Sequence, residues 1–223
     1  MRLATIKPLA GVCFSLAITA ACLFGSAGRL DWLNAWILLG LSFVTGVAFT
    51  AGRSPELAAE RRNIQAGKNW DKVIVGITVL LGPMAIWITA GLDERFHWSS
   101  RMPFWASAVG VVVAVLAGAL IAWAIRSNEF FSSVVRVQKE RGHTVVASGP
   151  YRFVRHPGYA GMSLFILATP LILGSYRAFA PAAATAAVIV LRTVLEDRTL
   201  QQELDGYTDY MRKVRCKLLP HIW

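Results

Sequence analysis

Cysteine is scarce in this sequence, and so are acidic side chains and histidine. Three cysteines occur in 223 residues; Cys13 and Cys22 fall in one apolar run and Cys216 near the far end, so no pairing framework and no thiolate zinc spacing exists. Four histidines, His97, His143, His156 and His221, are scattered without an HExxH-type pair, and no metal site is expected. Charged residues make up only 16% of the chain, with Asp and Glu at 13 against 23 Lys and Arg. Such a charge-poor composition excludes an ordinary soluble domain. Internal repeats, low-complexity tracts and a dividing linker are also lacking.

What is present is hydrophobic length. Apolar residues reach 55%, and a helix needs about 20 of them to cross a hydrocarbon core. Charge-free runs extend over Leu9 to Ala27, Trp32 to Gly52, Val73 to Leu92, Met102 to Ile125 and Gly158 to Tyr176. A sixth run, Ala178 to Leu191, stops at Arg192; it spans by continuing past that arginine, or forms a short hairpin arm with the fifth. The expected fold is therefore all-α, a multi-pass integral membrane protein with five to six transmembrane helices. The opening residues also fit a cleaved secretory leader, but the further spans that follow at once favour a first transmembrane helix.

Cytoplasmic connections retain Lys and Arg, and that bias orients the chain. With six spans and the N-terminus inside, only Arg29, Arg95, Arg101 and Arg177 fall outside. Both termini are then cytoplasmic, as in a bacterial inner-membrane protein. The net charge of +10 is spread over loops between spans, which suits anionic headgroups and gives no reason to expect nucleic acid. Residues 53 to 72 read as a short amphipathic surface helix beneath the headgroups. Trp32, Trp36, Trp98 and Trp105 read as belt residues at the membrane edge, and Tyr207 and Tyr210 as interfacial packing.

Two polar stretches do not fit a plain loop. "GPYRFVRHPGYAG", residues 149 to 161, concentrates arginine, histidine and tyrosine directly before the fifth run. "RTVLEDRTLQQELDGYTDYMRKVR" begins at the end of the sixth and reads as helix to about Leu204, where Asp205-Gly206 supplies a stop. At 100° per residue Arg192, Glu196, Thr199 and Glu203 share about one quadrant, and Asp197 points away. Polar groups at the mouth of a span are costly unless paired or wet, and mark a site by default. The simpler readings are an Arg192–Glu196 helix pair and a Pro157 that merely enters a helix at its first turn.

The ordered combination of "QKERGHTVVASGPYRFVRHPGYAG", two apolar arms and that last stretch resembles the isoprenylcysteine carboxyl methyltransferase family and its bacterial relatives, over about Ser127 to Trp223. The resemblance implies residues 1–126 as N-terminal transmembrane helices and 127–223 as a methyltransferase core with a C-terminal cytoplasmic cofactor-binding region. It implies S-adenosylmethionine as cofactor and a small-molecule or lipid-like acceptor reached from the bilayer. By motif position Gln138, His143, His156, Tyr159, Gly161 and Glu196 become candidates for binding the donor, and Arg155, Arg192 and Glu196 for the reacting groups. Asp197 departs from the glutamate found in many relatives, which leaves open whether Glu196 or Asp197 is the functional carboxylate. Alternatives are an NADPH-dependent membrane reductase, since sterol reductases carry a similar Arg-His-Pro element, and a thiol or phospholipid-amine methyltransferase. A non-catalytic transporter is disfavoured, because the polar groups gather at one side rather than at mid-bilayer.

Overall fold

The computed structural model describes residues 2–50, 58, 60, 61, 63–100 and 102–223, with the backbone alone for 2–9. Among these residues there is no strand, and seven helices carry the fold: α1 (Arg2–Ala27), α2 (Leu33–Thr50), α3 (Asn69–Phe96), α4 (Phe104–Ser127), α5 (Pro157–Leu173), α6 (Phe179–Glu203) and α7 (Tyr207–Lys213). Five of them, α1 to α4 and α6, are long and apolar enough to cross a membrane, and α5 is a shorter apolar helix of 17 residues. This agrees with the five-to-six-span expectation. It also decides the sixth run, because α6 continues unbroken past Arg192 to Glu203.

Helix α3 starts at Asn69, earlier than the apolar run, and so takes Asp71 into its first turn. It passes through a π turn at Gly76–Leu81. Of the surface helix expected at residues 53 to 72, positions 53–57, 59 and 62 lie outside the described residues. The described remainder includes a 3₁₀ turn at Ile64–Ala66 and then enters α3. Arg53, Arg62 and Arg101 of the charge count also lie outside the described residues.

The bundle is closed at one end by apolar packing of Leu23, Phe24, Ala35, Leu38, Ile86, Ala114, Ala168, Ile172 and Ala182. Trp32 belongs to this core, 5% exposed, while Trp36, Trp98 and Trp105 are exposed near helix ends. The sequence placed all four in the belt; Trp32 instead turns inward. Helices α4 and α5 pack through small residues. A Cβ on Gly161 would lie 2.6 Å from Ile121 Cγ1 and 2.9 Å from the Ala117 carbonyl, and one on Gly110 2.8 Å from the Ile172 nitrogen. Only glycine permits that backbone approach.

At the other end the chain leaves the helices. The start of α3, the end of α4, the start of α5 and the end of α6 all meet there. The segment 128–156 crosses between them with two 3₁₀ turns, Lys139–Arg141 and Gly149–Arg152. A second, smaller apolar cluster of Leu204, Tyr207, Tyr210 and Val214, with Val137, Val145 and Leu200 against it, anchors α7 onto this segment. Antiparallel connectivity thus delivers residues 149–161 and the end of α6, the two polar stretches that do not fit a plain loop, to one end.

Candidate active site at the polar end of the bundle

Pro157 occupies the first turn of α5, where a missing N–H costs nothing. The two residues before it are fixed by the tail: the Arg155 and His156 amides donate to the carbonyls of Cys216 and Lys217 at 3.0 and 2.9 Å. His156 leaves the helix end uncapped by its side chain and reaches α6 instead. Asp197 is the hub there. It accepts Arg155 Nε and Nη2 at 2.8 and 2.9 Å, lies 3.0 Å from His156 Nε2, and accepts the Tyr207 hydroxyl at 2.8 Å. Arg155 spends its remaining amino group on the Val214 and Arg215 carbonyls at 2.8 and 2.7 Å. Every nitrogen of that guanidinium is engaged, so Arg155 braces the RHP turn against α6 and the tail.

The cluster is buried, with side-chain exposures of 4% and 5% for Arg155 and Asp197. Burial works against the Arg155 charge, but the Asp197 hydrogen bonds outweigh it and hold the guanidinium above its ordinary pKa. Burial pushes the Tyr207 phenol up, and the Asp197 carboxylate beside it adds to the rise. Tyr207 therefore stays a donor. The sequence made Tyr207 and Tyr210 interfacial packing; both are buried, and Tyr210 donates to the Tyr151 carbonyl at 2.6 Å.

One residue back along α6, Glu196 faces differently. It accepts a hydrogen bond from the Tyr159 hydroxyl and is half-buried rather than enclosed. The Tyr159 ring stacks with the His156 ring at 5.9 Å, and the Arg192 guanidinium lies over it at 5.1 Å from the centroid. Arg192 pairs with Asp71 of α3 rather than with Glu196 one turn on: Nε to Oδ1 at 2.7 Å and Nη2 to Oδ2 at 3.0 Å. Farther along the same face Glu203 pairs with Lys68 at 2.5 Å. The helix-wheel grouping of Arg192, Glu196 and Glu203 is thus real, but its members face different partners.

A pocket opens beside these groups. Its wall combines Tyr159, Glu196, Arg155 and His156 with the aromatic Phe130 and Phe131, and is completed by His143, Tyr151, Leu200, Tyr207 and Tyr210. Glu196 is the one acidic residue on that wall among the described residues. Of the sequence candidates, His143, His156, Tyr159, Arg155 and Glu196 line the pocket. Gln138, Gly161 and Arg192 do not. Gln138 is fully buried and spends its amide on the Phe130 carbonyl at 2.7 Å and on Arg141 at 2.5 Å, so it shapes the wall from behind. Gly161 faces α4.

The wall segment is held from outside by an acidic residue that the sequence did not single out. Glu60 receives Arg136 Nε and Nη2 at 2.8 and 2.7 Å and Ser132 Oγ at 3.2 Å. The Arg136 hydrogen bonds keep the Glu60 carboxyl below its usual range against the opposing effect of burial. His143 stacks on Phe130 at 4.4 Å and accepts the Gln138 amide on Nδ1 at 3.2 Å. Burial, aided by Arg141 and Arg136, pushes its pKa down, which favours the neutral ring that can accept. Nothing local in the sequence marks Glu60 or Asp71 as partners of residues 76 and 121 positions away.

Comparison with known proteins finds relatives for part of this chain. Residues 109–202 match the model of the isoprenylcysteine carboxyl methyltransferase (ICMT) family. Protein-S-isoprenylcysteine O-methyltransferase of Mus musculus is 27% identical over 139 residues, covering 59% of this chain and 47% of that protein. The Homo sapiens protein of the same name is 24% identical with the same coverage. The chain spans about half the length of these curated relatives. The solved structure of the eukaryotic intramembrane Ras methyltransferase ICMT aligns with all of this chain and 87% of its own, at TM-score 0.53 and 16% identity, and so shares the fold. The Arg-His-Pro turn and the acidic pair of α6 both lie inside the matched region, so the part of the chain that builds the pocket is similar to the isoprenylcysteine carboxyl methyltransferase family.

Proposed function

We propose that this chain transfers a methyl group from S-adenosylmethionine to an apolar acceptor drawn from the membrane, with a prenylcysteine carboxylate as the acceptor class. The observation that carries the reading is the pocket at the mouth of an apolar bundle, where Glu196 is the one carboxylate among the described residues on a wall that also carries the aromatic rings of Phe130, Phe131 and Tyr151. That lining fits the donor: its ammonium calls for a carboxylate, its adenine and sulfonium for aromatic faces. Glu196 is the group to hold the ammonium, and Phe130, Phe131 and Tyr151 offer the faces. His143, His156 and Tyr159 complete the donor site, with Gln138 supporting it from behind the wall and Gly161 supporting it by letting α5 close on α4.

S-adenosylmethionine supplies an electrophilic methyl group on a sulfonium. The protein is left with alignment and exclusion of water, and such positioning contributes about 7–11 kcal/mol. A carboxylate acceptor is already ionised at neutral pH and needs no general base, but it does need a cation. Arg155 is saturated by Asp197 and two carbonyls, so its part is to hold the RHP turn. Arg192 gives its fork to Asp71 behind the Tyr159 ring and keeps Nη1 outside those bonds, which leaves one charge-assisted hydrogen bond to offer an acceptor carboxylate. Asp197 is enclosed by its partners, which makes Glu196 the functional carboxylate of the pair.

The reductase alternative has less support. A nicotinamide 2'-phosphate calls for an uncommitted basic pocket, yet Arg136 is bound to Glu60 and Glu140, and Arg141 to Gln138. Residues 1–126 act in this reading mainly as the membrane scaffold and 127–223 as the methyltransferase core. The site end faces the cytoplasm of a bacterial inner membrane, with both termini on that side, as the distribution of Lys and Arg favours. Isothermal titration of the detergent-purified protein with S-adenosylhomocysteine tests the site. Binding is expected in the wild type and at least ~10-fold weaker binding in Glu196→Ala, the loss of about one charge-assisted hydrogen bond. Equal affinity of the two proteins overturns the assignment of Glu196.

A further inference from the structure

Asp71 stands at the start of α3, outside residues 109–202, and is fully buried. Its two oxygens grip Arg192 in a fork, Oδ1 to Nε at 2.7 Å and Oδ2 to Nη2 at 3.0 Å. Oδ2 also accepts the backbone amide of Val135 at 2.7 Å, and Arg192 Nη2 donates to the Ser133 carbonyl at 2.9 Å. Three parts of the chain meet at this one carboxylate: α3, α6 and the pocket-wall segment 132–136. The Arg192 guanidinium lies over the Tyr159 ring, and the Tyr159 hydroxyl donates to Glu196. Asp71 touches none of the pocket surface itself.

A buried guanidinium keeps its charge without a partner, but not its orientation. Two parallel bonds from a fixed carboxylate set both the plane and the rotation of the fork. Here they engage Nε and Nη2, which leaves Nη1 as the amino group with a fixed direction and no hydrogen bond of its own among those formed by Arg192. The bond to Val135 ties the same carboxylate to the pocket wall.

We propose that Asp71 is a positioning residue for methyl transfer, one that acts through Arg192: its bidentate grip fixes the guanidinium so that Nη1 is presented to the acceptor. This rests on the methyltransferase reading given above. It extends the site to a helix that the family match does not include. The role asks for orientation and not for donor affinity, so its signature is a fall in turnover with donor binding retained.

The test compares wild type, Asp71→Asn, Asp71→Glu, Arg192→Gln and the Asp71→Asn/Arg192→Gln double variant in nanodiscs. Methyl-labelled S-adenosylmethionine and N-acetyl-S-farnesylcysteine serve as donor and acceptor probes, and S-adenosylhomocysteine affinity and thermal midpoint are measured on the same samples. Misplacement of a positioned group by about 1 Å costs on the order of 100-fold in rate, so Asp71→Asn should lose ~100-fold in kcat with S-adenosylhomocysteine affinity within ~3-fold of wild type. Asp71→Glu keeps the charge and should lose only ~10-fold on the same argument. The double variant should be no slower than Arg192→Gln alone, because Asp71 has nothing left to orient. Losses in the double variant that multiply, a parallel fall of affinity and turnover, or wild-type kinetics in Asp71→Asn each overturn the proposal. Should Asp71→Asn not fold, Asp71→Glu decides by the same split between kcat and affinity. A wild-type protein that binds no S-adenosylhomocysteine and methylates no acceptor refutes the methyltransferase reading instead, and is told apart by that control.

Discussion

Glu196 and Asp197 are neighbours in sequence, and replacing each by alanine should cost very different amounts of stability. Asp197 is 5% exposed and holds Arg155, His156 and Tyr207 at once. In Asp197→Ala the Arg155 guanidinium stays buried without its counter-charge, a situation that costs about 3–5 kcal/mol. For a chain of this size each kcal/mol shifts the unfolding midpoint by about 2–4 °C, so a drop of roughly 6–20 °C is expected. Glu196 loses one hydrogen bond at a half-buried position, about 1 kcal/mol and hence a few degrees at most. Thermal unfolding in detergent, followed by tryptophan fluorescence and by loss of the monodisperse peak, reads both. Asp197→Leu combined with Arg155→Met should recover part of the loss, because neither charge is then orphaned. A midpoint in Asp197→Ala within ~2 °C of wild type, less than 1 kcal/mol on the same scale, would refute the brace, and so would an equal loss in Glu196→Ala.

Gly161→Ala should destabilise by about 1–3 kcal/mol, the usual cost of overpacking, since its new methyl meets the Ala117 carbonyl at 2.9 Å and backbone cannot step aside; an unchanged midpoint contradicts the α4–α5 contact. Acid should loosen the pocket wall in two stages. His143 has a folded pKa below its ordinary 6.5, so its contribution is complete above that value and declines as the pH falls beneath it. Glu60, held below 4.5 by Arg136, contributes fully above 4.5 and loses its contribution as the pH falls through its lower folded value. Unfolding midpoints measured from pH 7.5 downward should therefore begin to fall below about pH 6.5, and His143→Gln should flatten that first step. An identical profile in the variant contradicts the role given to the Nδ1 bond.

Hydropathy made the membrane helices legible because lipid leaves the backbone no partner but itself, so length and apolar content nearly determine the element. Leu9 to Ala27 ends where α1 ends, and Trp32 to Gly52 falls within two residues of α2. The polar groups were legible in kind and only partly in role. Helical periodicity correctly separated Glu196 from Asp197, and placed Arg192, Glu196 and Glu203 on one face. It was silent on what each face meets. Asp71 and Glu60 read as ordinary charges beside a basic surface segment, and only tertiary folding brings them under Arg192 and Arg136 across more than 70 residues. Gly161 illustrates the same limit: its place in the motif marked a donor site, while its contacts are with a helix that motif does not mention. Tyr207 was assigned to the membrane edge by type, yet a stop at Asp205-Gly206 turns α7 back so that its hydroxyl reaches Asp197 at 2.8 Å.

Methyl transfer at the polar end of the bundle is read by incorporation of label from methyl-labelled S-adenosylmethionine by the purified protein in nanodiscs. N-acetyl-S-farnesylcysteine, a small thiol and a phosphatidylethanolamine are supplied as parallel acceptors. Base-labile methyl ester is expected on the prenylcysteine, formed far more slowly by Arg192→Gln and Glu196→Ala while both variants remain folded. Label on the thiol or the phospholipid amine alone would contradict the carboxylate acceptor, and no label on any of the three, with NADPH oxidised in the same preparation, would contradict the methyltransferase itself.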